Sequence, residues 1–517
     1  MTESSDATAA KSVGTQRLSA TTRADSLAFL DRLRAQAGQR RTEGLAHRDI
    51  EQFLARSPAL QLAIERARTA LTALDEPTRS SFGMDEEALC QWLQERLLNF
   101  YSDDGISPYV PLGAAGPWIV TTHGAVLHDS AGYGMLGLGH GPDEVIAALA
   151  EPLPMANVMT PSLSQKRFTD RLVAEIGRTR GRCPFGRFVC MNSGSEAVTV
   201  AARIADIHAK TETDPGARHA GKAVRVLSLE QGFHGRTYRP AQMSSATRPI
   251  YEEHLASFRT ATFTTFVPAN DIGALERAFA LADDQSQFFE AMFVEPVLGE
   301  GDSGLALSRE FYDAARRLTR RHGALLVVDS IQAALRAHGC LSVVDYPGFE
   351  DCEPPDMETY SKALNAGQYP LSVLAMTDEV ADIYVRGVYG NTMTTNARAL
   401  EVGCAVLDSL TEELRANVRE RGKQLRDGLT VLGQQFRGAI TSVRGTGLIV
   451  CADLDPARYR VEGRGGFESY CRTHGVAMIH GGHNGLRFTP HLGVSAEEVE
   501  LILRTVRAGL EQVDQRG

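Results

Sequence analysis

Between about residue 187 and residue 376, short apolar runs that favour β-strands alternate with longer segments of helical pattern. The runs are RFVCMNSG, AVRVLSLEQ, EAMFVEPVLG, GALLVVDSIQ and LSVLAM. Several are apolar on both faces, as strands are when helices cover both sides of a sheet. This alternation predicts an α/β core with a mainly parallel sheet, covering residues 155–400. Functional residues are expected where the strands of such a sheet end.

The segments on either side of this core have different patterns. Residues 26–105 carry apolar residues three and four apart, which predicts a helical N-terminal extension, and residues 1–25 are polar and predict a disordered tail. Residues 401–517 combine helical segments with short β-type runs, which predicts a smaller α+β domain.

Composition excludes several classes of protein. The chain has 517 residues, enough for two or three packed units, and its formal net charge of −10 comes without a basic patch, which argues against nucleic acid and anionic membranes as partners. No run reaches the roughly 18 apolar residues of a membrane span. The eight cysteines are scattered without a CxxC pair, so we expect reduced core thiols, no metal site and a cytoplasmic location.

Lys362 is unusual because the chain otherwise uses arginine for positive charge. Only six of its 54 basic residues are lysine, and Lys362 follows a short strand-like run and precedes a flexible NAG. Lysine forms imines whereas arginine does not, and apolar surroundings favour its nucleophilic neutral form. The alternative is a strand-end lysine whose ammonium group reaches solvent.

Three other motifs are compatible with the same chemistry. Gly194 and Ser195 begin a helix after a strand, where backbone amides and hydroxyls can bind a phosphate group or merely cap the helix. Asp329 ends an apolar strand, where it can pair with a protonated ring nitrogen or cap the next helix. Phe233, beside His234, offers an aromatic face for stacking. An imine-forming lysine, a phosphate cradle, a carboxylate and an aromatic platform together predict pyridoxal 5′-phosphate as cofactor.

From about residue 125 to residue 495 the chain resembles the class III aminotransferases, a family of fold type I pyridoxal phosphate enzymes that includes ornithine, acetylornithine and 4-aminobutyrate aminotransferases. Six motifs carry the resemblance in the family's order: NSGSEA, GFHGRT, VEPVLGEG, VVDSIQ, SKALNAGQYPLS and GLRFTPHL. The resemblance implies a large domain with a seven-stranded sheet over residues 155–400. It also implies that residues 106–154 form the N-terminal part of the small domain.

The resemblance also implies individual roles. Lys362 would be the Schiff-base lysine, Asp329 would pair with the pyridine nitrogen, and Gln332 would lie near the ring hydroxyl. The other residues expected at the cofactor are Gly194 and Ser195 at the phosphate, Phe233 stacked on the ring with His234 beside it, and Thr392, which would reach the phosphate of a neighbouring subunit in a homodimer with shared active sites. The residues expected at the substrate are Tyr133, Arg236, Glu300 and Arg487.

The expected reaction is amino transfer from an amino acid or ω-amine to a 2-oxo acid such as 2-oxoglutarate. The same motifs also serve racemases, aminomutases and decarboxylases, and a non-catalytic cofactor-binding protein is a further alternative. Two departures from the family pattern bear on the substrate. Ser330 follows Asp329 where a glutamate is usual, and NTMTTNARA surrounds Thr392 where a glycine-rich stretch is usual.

Overall fold

A computed structural model describes residues 20–102, 105–259 and 263–514. Its first described helices form the N-terminal extension: α1 Ala20–Gln36, α2 His47–Leu54, α3 Pro58–Ala73, α4 Glu76–Ser80 and α5 Glu86–Gln94. The predicted tail extends to residue 25, whereas α1 begins at Ala20, because polar residues such as those of ATTRAD do not prevent a helix from forming. Residues 1–19 of that tail lie outside the described part.

The chain then forms a short β region followed by the large domain. The strands are β1 Pro111–Ala115, β2 Trp118–Thr121, β3 Val126–Asp129, β4 Arg187–Met191, β5 Ala223–Leu229, β6 Thr264–Val267, β7 Gln287–Val294, β8 Leu325–Asp329, β9 Met357–Tyr360 and β10 Ser372–Met376. The helices are α6 Asp143–Ala150, α7 Leu163–Glu175, α8 Gly194–Thr213, α9 Tyr238–Met243, α10 Arg248–His254, α11 Ile272–Asp284, α12 Arg309–His322, α13 Asp378–Ala381 and α14 Ala397–Asp408.

The C-terminal part is an α+β unit. Its elements are α15 Glu412–Gln435, β11 Ile440–Thr446, β12 Ile449–Leu454, α16 Phe467–Thr473, β13 Val476–Ala477, β14 Ile479–Gly481, β15 Gly485–Phe488 and α17 Ala496–Asp514. Strands β11, β12, β15 and β14 form an antiparallel sheet in that order. Strand β13 instead pairs in parallel with β3, so residues 111–129 share a second sheet with the C-terminal chain.

The large sheet has seven strands in the order β4-β10-β9-β8-β7-β5-β6. Strand β10 is antiparallel to both of its neighbours, and the other pairings are parallel. All five residues of β8 are buried, as expected for a central strand with helices on both faces. The predicted α/β fold with a mainly parallel seven-stranded sheet is therefore confirmed.

Within the described residues, no helix combines the length and apolar character needed to cross a membrane. All eight cysteines are free thiols, and six of them are buried.

Candidate active site

A cavity of about 640 Å³ opens at the carboxyl ends of the large sheet's strands. Ser195, Phe233, Glu300 and Lys362, which follow β4, β5, β7 and β9, line one side of it. Tyr133 and Arg487, from the smaller sheets' region, line the other side. The sheet topology thus brings together residues that are hundreds of positions apart in the sequence.

Lys362 lies on a tight turn immediately after β9. Its φ of 48° is in the left-handed region, which a non-glycine residue adopts only when the surrounding structure holds it there. Burial lowers the pKa of its ammonium group from 10.5 to about 8, although the negative charge of Glu300 acts in the opposite direction. The neutral, nucleophilic amine is therefore well populated near neutral pH.

Asp329 lies at the end of β8, only 3% exposed. Its Oδ2 is 2.8 Å from Nδ1 of His234, and its Oδ1 accepts a hydrogen bond of 3.0 Å from the Thr359 hydroxyl and one of 3.1 Å from the Ile331 amide. Burial alone would lower the pKa of His234, but the hydrogen bond and the charge of Asp329 raise it above its usual value. These contacts fix the orientation of a carboxylate suited to a protonated ring nitrogen.

The N-terminus of α8 forms the candidate phosphate cradle. Ser193 caps the helix, and Gly194 and Ser195 occupy its first turn, where free amide groups favour an anion. A Cβ on Gly235 would lie 2.3 Å from the Ser195 hydroxyl, and the φ of Gly235 is +118°. Glycine at this position therefore keeps the Ser195 hydroxyl accessible.

Gln332 carries a buried side-chain amide whose Nε2 has no partner among the described residues. A buried donor without a partner is costly, so the amide is suited to an oxygen of a bound molecule. With the lysine, the carboxylate and the α8 N-terminus, this amide fits the functional groups of pyridoxal phosphate.

Three arginines line the cavity, Arg236, Arg472 and Arg487, and the first and last of them are the predicted substrate residues. Arg487 Nη1 lies 2.8 Å from Oε2 of Glu300 and also donates to the Gly299 carbonyl. The guanidinium of Arg236 is exposed and lies 5.5 Å from the centre of the Phe233 ring. Tyr133 lines the same cavity with its backbone at a φ of 48°. Among the described residues, Arg487 is thus paired with a carboxylate and Arg236 is not, so the two differ in their availability for a substrate carboxylate.

The structure does not gather all of the predicted residues in the cavity wall. Asp329 and His234 are buried and do not line the cavity, and the partly buried Gly194 and Gln332 do not line it either. Thr392 is exposed and does not line the cavity; its carbonyl oxygen accepts a 3.3 Å hydrogen bond from Asn157.

Two buried glutamates near the site were not identified from the sequence. Glu295 accepts hydrogen bonds from the amides of Phe233 and Gly299 at 2.8 and 3.0 Å, and burial raises its pKa to about 7. It directly follows β7, so the reasoning applied to Asp329 would have identified it. Glu358 accepts a 2.5 Å hydrogen bond from Ser330, so β9 supplies a carboxylate beside the serine that replaces the usual glutamate.

A second group missed by the sequence analysis comes from the N-terminal extension. Its residues in the cavity wall include Cys90, Leu93, Phe100 and Tyr101. No motif signals their position, because the helical pattern of the extension does not specify where it packs.

The fold and this cavity define a fold type I pyridoxal phosphate enzyme. The family model for class III aminotransferases matches residues 102–510, and the chain belongs to that family. It is a pyridoxal-phosphate-dependent transaminase, as the sequence predicted.

Relatives in the family agree with this assignment. Acetylornithine aminotransferase of Neisseria meningitidis serogroup B (strain ATCC BAA-335 / MC58) is 31% identical over 414 residues, covering 78% of this chain and 95% of the relative. The ornithine aminotransferase structure from Toxoplasma gondii ME49 has a TM-score of 0.71 at 24% identity, covering 86% of this chain and 99% of that one. N-acetylornithine aminotransferase from Stenotrophomonas maltophilia K279a has a TM-score of 0.64 at 24% identity, covering 83% and 100%.

Proposed function

We propose that this transaminase takes the terminal amino group of an ornithine-like donor, or of another ω-amine that bears a carboxylate, and passes it to a 2-oxo acid such as 2-oxoglutarate. The observation that carries the proposal is the 2.8 Å ion pair between Glu300 and Arg487 in the cavity that contains Lys362. While Glu300 occupies Arg487, the amine end of the donor can approach Lys362 without meeting an uncompensated charge on Arg487. A dicarboxylate acceptor then competes with Glu300 for the guanidinium.

Pyridoxal phosphate would supply an aldehyde for the amine and a ring that takes up electrons. Lys362 Nζ would remove a proton from the carbon that carries the amine and deliver it to the carbon of the former aldehyde, because its lowered pKa makes the neutral form available. Asp329, fixed by His234 and Thr359, would hold the protonated ring nitrogen. Ser195 and Gly194 would hold the phosphate at the positive end of α8.

Relatives named acetylornithine or ornithine aminotransferases support this choice of donor. The test is a half-reaction. Each candidate donor is added without acceptor to the holoenzyme, and the visible absorption of the bound cofactor is followed. We expect ornithine-like donors to bleach the band and 2-oxoglutarate to restore it. An unchanged band with racemised or decarboxylated substrate would reject the proposal in favour of the alternative reactions.

Two lysine variants provide the control for this assay. Lys362→Ala removes the proposed proton carrier and should abolish turnover. Lys423→Ala removes a surface lysine that pairs with Asp427 on α15 and should retain full activity. Equal activity of the two variants would contradict the role of Lys362.

We further infer a homodimer with shared active sites. Thr392 lies on an exposed loop that Asn157 joins to a second exposed loop. Large apolar side chains on these loops face solvent in the single chain: Met155, Val158, Met159, Leu163 and Met393. Such a patch is typical of an interface. Light scattering should give twice the chain mass for the wild type and a single chain for Met159→Asp; a monomeric wild type would reject the dimer.

The eight free cysteines support a cytoplasmic location, since reducing compartments keep thiols unpaired. Fractionation of the native cells should recover the protein with cytoplasmic markers.

A further inference from the structure

The N-terminal extension reaches the active-site cavity of its own chain. Cys90, Leu93 and Gln94 of α5 line the cavity together with Phe100 and Tyr101, which follow the helix. All of these residues precede residue 102, where the match to the family model begins. A segment outside the region that matches the family model therefore forms part of the cavity wall in this chain.

Phe100 contacts one of the two candidate carboxylate-binding arginines. The guanidinium carbon of Arg236 lies 5.6 Å from the centre of the Phe100 ring and 5.5 Å from that of Phe233. Both distances are within the range of cation–π attraction. Arg236 is otherwise exposed, so the two rings restrict a side chain that would sample many rotamers in water.

Tyr101 extends this contact toward the second arginine. Its ring centre lies 4.5 Å from that of Phe100, and it lines the cavity together with Arg487. The Tyr101 amide donates a 3.0 Å hydrogen bond to the Asn99 side chain, which stabilises the turn that presents both rings. One aromatic pair of the extension therefore lies beside both arginines.

The extension is anchored on either side of the segment that carries these rings. The Glu86 carboxylate accepts hydrogen bonds of 2.9 and 2.7 Å from the amides of Arg41 and Thr42, and Leu89 is fully buried. On the other side, Arg472 donates a 2.8 Å hydrogen bond to the Gly105 carbonyl. Phe100 and Tyr101 themselves are 75% and 52% exposed, so their contacts with each other and with Arg236 place them at the cavity.

The residues that α5 contributes to the cavity wall, Cys90, Leu93 and Gln94, are uncharged. Burial raises the pKa of the Cys90 thiol to about 11, so it is neutral under ordinary conditions. Glu468, Arg472 and His480 also line the cavity. The two carboxylates of the described wall, Glu300 and Glu468, are paired with Arg487 and Arg472.

We propose that Phe100 and Tyr101 are positioning residues of the substrate site. They hold Arg236 toward a substrate carboxylate and form part of the cavity wall. The inference rests on the proposed function, and it adds that the extension helps to select the substrate.

The test compares a donor with its own carboxamide, which lacks the negative charge but keeps the shape. The wild-type holoenzyme should prefer the carboxylate. Phe100→Leu keeps apolar volume but removes the aromatic face, so the preference in kcat/KM should fall roughly three- to tenfold, through KM rather than kcat. Phe100→Tyr keeps the face and should retain the wild-type preference. Leu98→Ala, on the same segment but fully exposed and outside the cavity, is the matched control.

The results separate the two hypotheses. If Phe100→Leu changes the acid and the amide alike, or changes neither, the positioning role is wrong even though the transaminase assignment stands. A wild type that transfers no amino group from any carboxylated ω-amine would instead reject the proposed function. Cofactor content and far-UV circular dichroism of each variant exclude loss of folding as the cause.

Discussion

The lowered pKa of Lys362 predicts how cofactor capture depends on pH. Only the neutral amine attacks an aldehyde, so the capture rate should follow the fraction of Lys362 that is deprotonated. With a pKa of about 8, half of the lysine is neutral at pH 8. A lysine at its usual pKa of 10.5 would be neutral in roughly one molecule in 300 at that pH. Burial should therefore accelerate capture at pH 8 by roughly 150-fold.

The assay mixes cofactor-free protein with pyridoxal phosphate over a range of pH and follows the visible absorption by stopped flow. The rate should rise with pH, with an inflection near pH 8, and level off above about pH 9, where deprotonation is nearly complete. Glu300→Gln should move the inflection to lower pH, since the charge of Glu300 raises the pKa of Lys362. An inflection near pH 10 in the wild type would refute the argument that burial controls this lysine. Lys362→Ala, which has no amine to titrate, defines the background rate.

Three further predictions concern the surroundings of the site. Glu300→Gln removes the carboxylate that pairs with Arg487, so the kcat/KM for glutamate as donor should rise roughly tenfold relative to that for an ω-amine. An unchanged ratio of the two kcat/KM values would contradict the proposal that Glu300 keeps Arg487 from binding the donor. Gly235→Ala places a Cβ against the Ser195 hydroxyl at a positive φ and should weaken cofactor retention roughly tenfold in equilibrium dialysis, whereas unchanged retention would remove Ser195 from the cradle. Asp356→Asn breaks a buried ion pair and should lower the free energy of unfolding by about 3 to 5 kcal/mol in urea; a loss below about 1 kcal/mol would show the pair to be dispensable.

The parts of the fold that were predictable have local signals. Strand β8 is a continuous apolar run in the sequence because both of its faces are buried. Asp329 ends this strand with a buried carboxylate, which requires a hydrogen-bonding or charged partner. The start of helix α8 is indicated by a serine cap followed by a glutamate three residues later. Lys362 was identified through the scarcity of lysine elsewhere. The first two signals depend on chemistry within a few residues and the third on the composition of the chain, so a single sequence is sufficient to detect all three.

The contact between Phe100 and Arg236 has no such signal. The attraction depends on the distance between the Phe100 ring and the Arg236 guanidinium, and the packing of the extension sets that distance. In the sequence the two residues are 136 positions apart. The contact between the Glu358 carboxylate and Ser330 could not be predicted from the sequence either, because neighbouring strands of a parallel sheet are joined by long crossovers. Sequence analysis could therefore predict candidate catalytic groups, because the chemistry restricts them to a few residue types. The residues around the substrate are not restricted in that way, because leucine, cysteine and phenylalanine line an apolar wall as readily as they fill a core. For that reason, substrate selectivity in this chain is best examined by substitutions in the extension, where the aromatic pair lies beside the arginines.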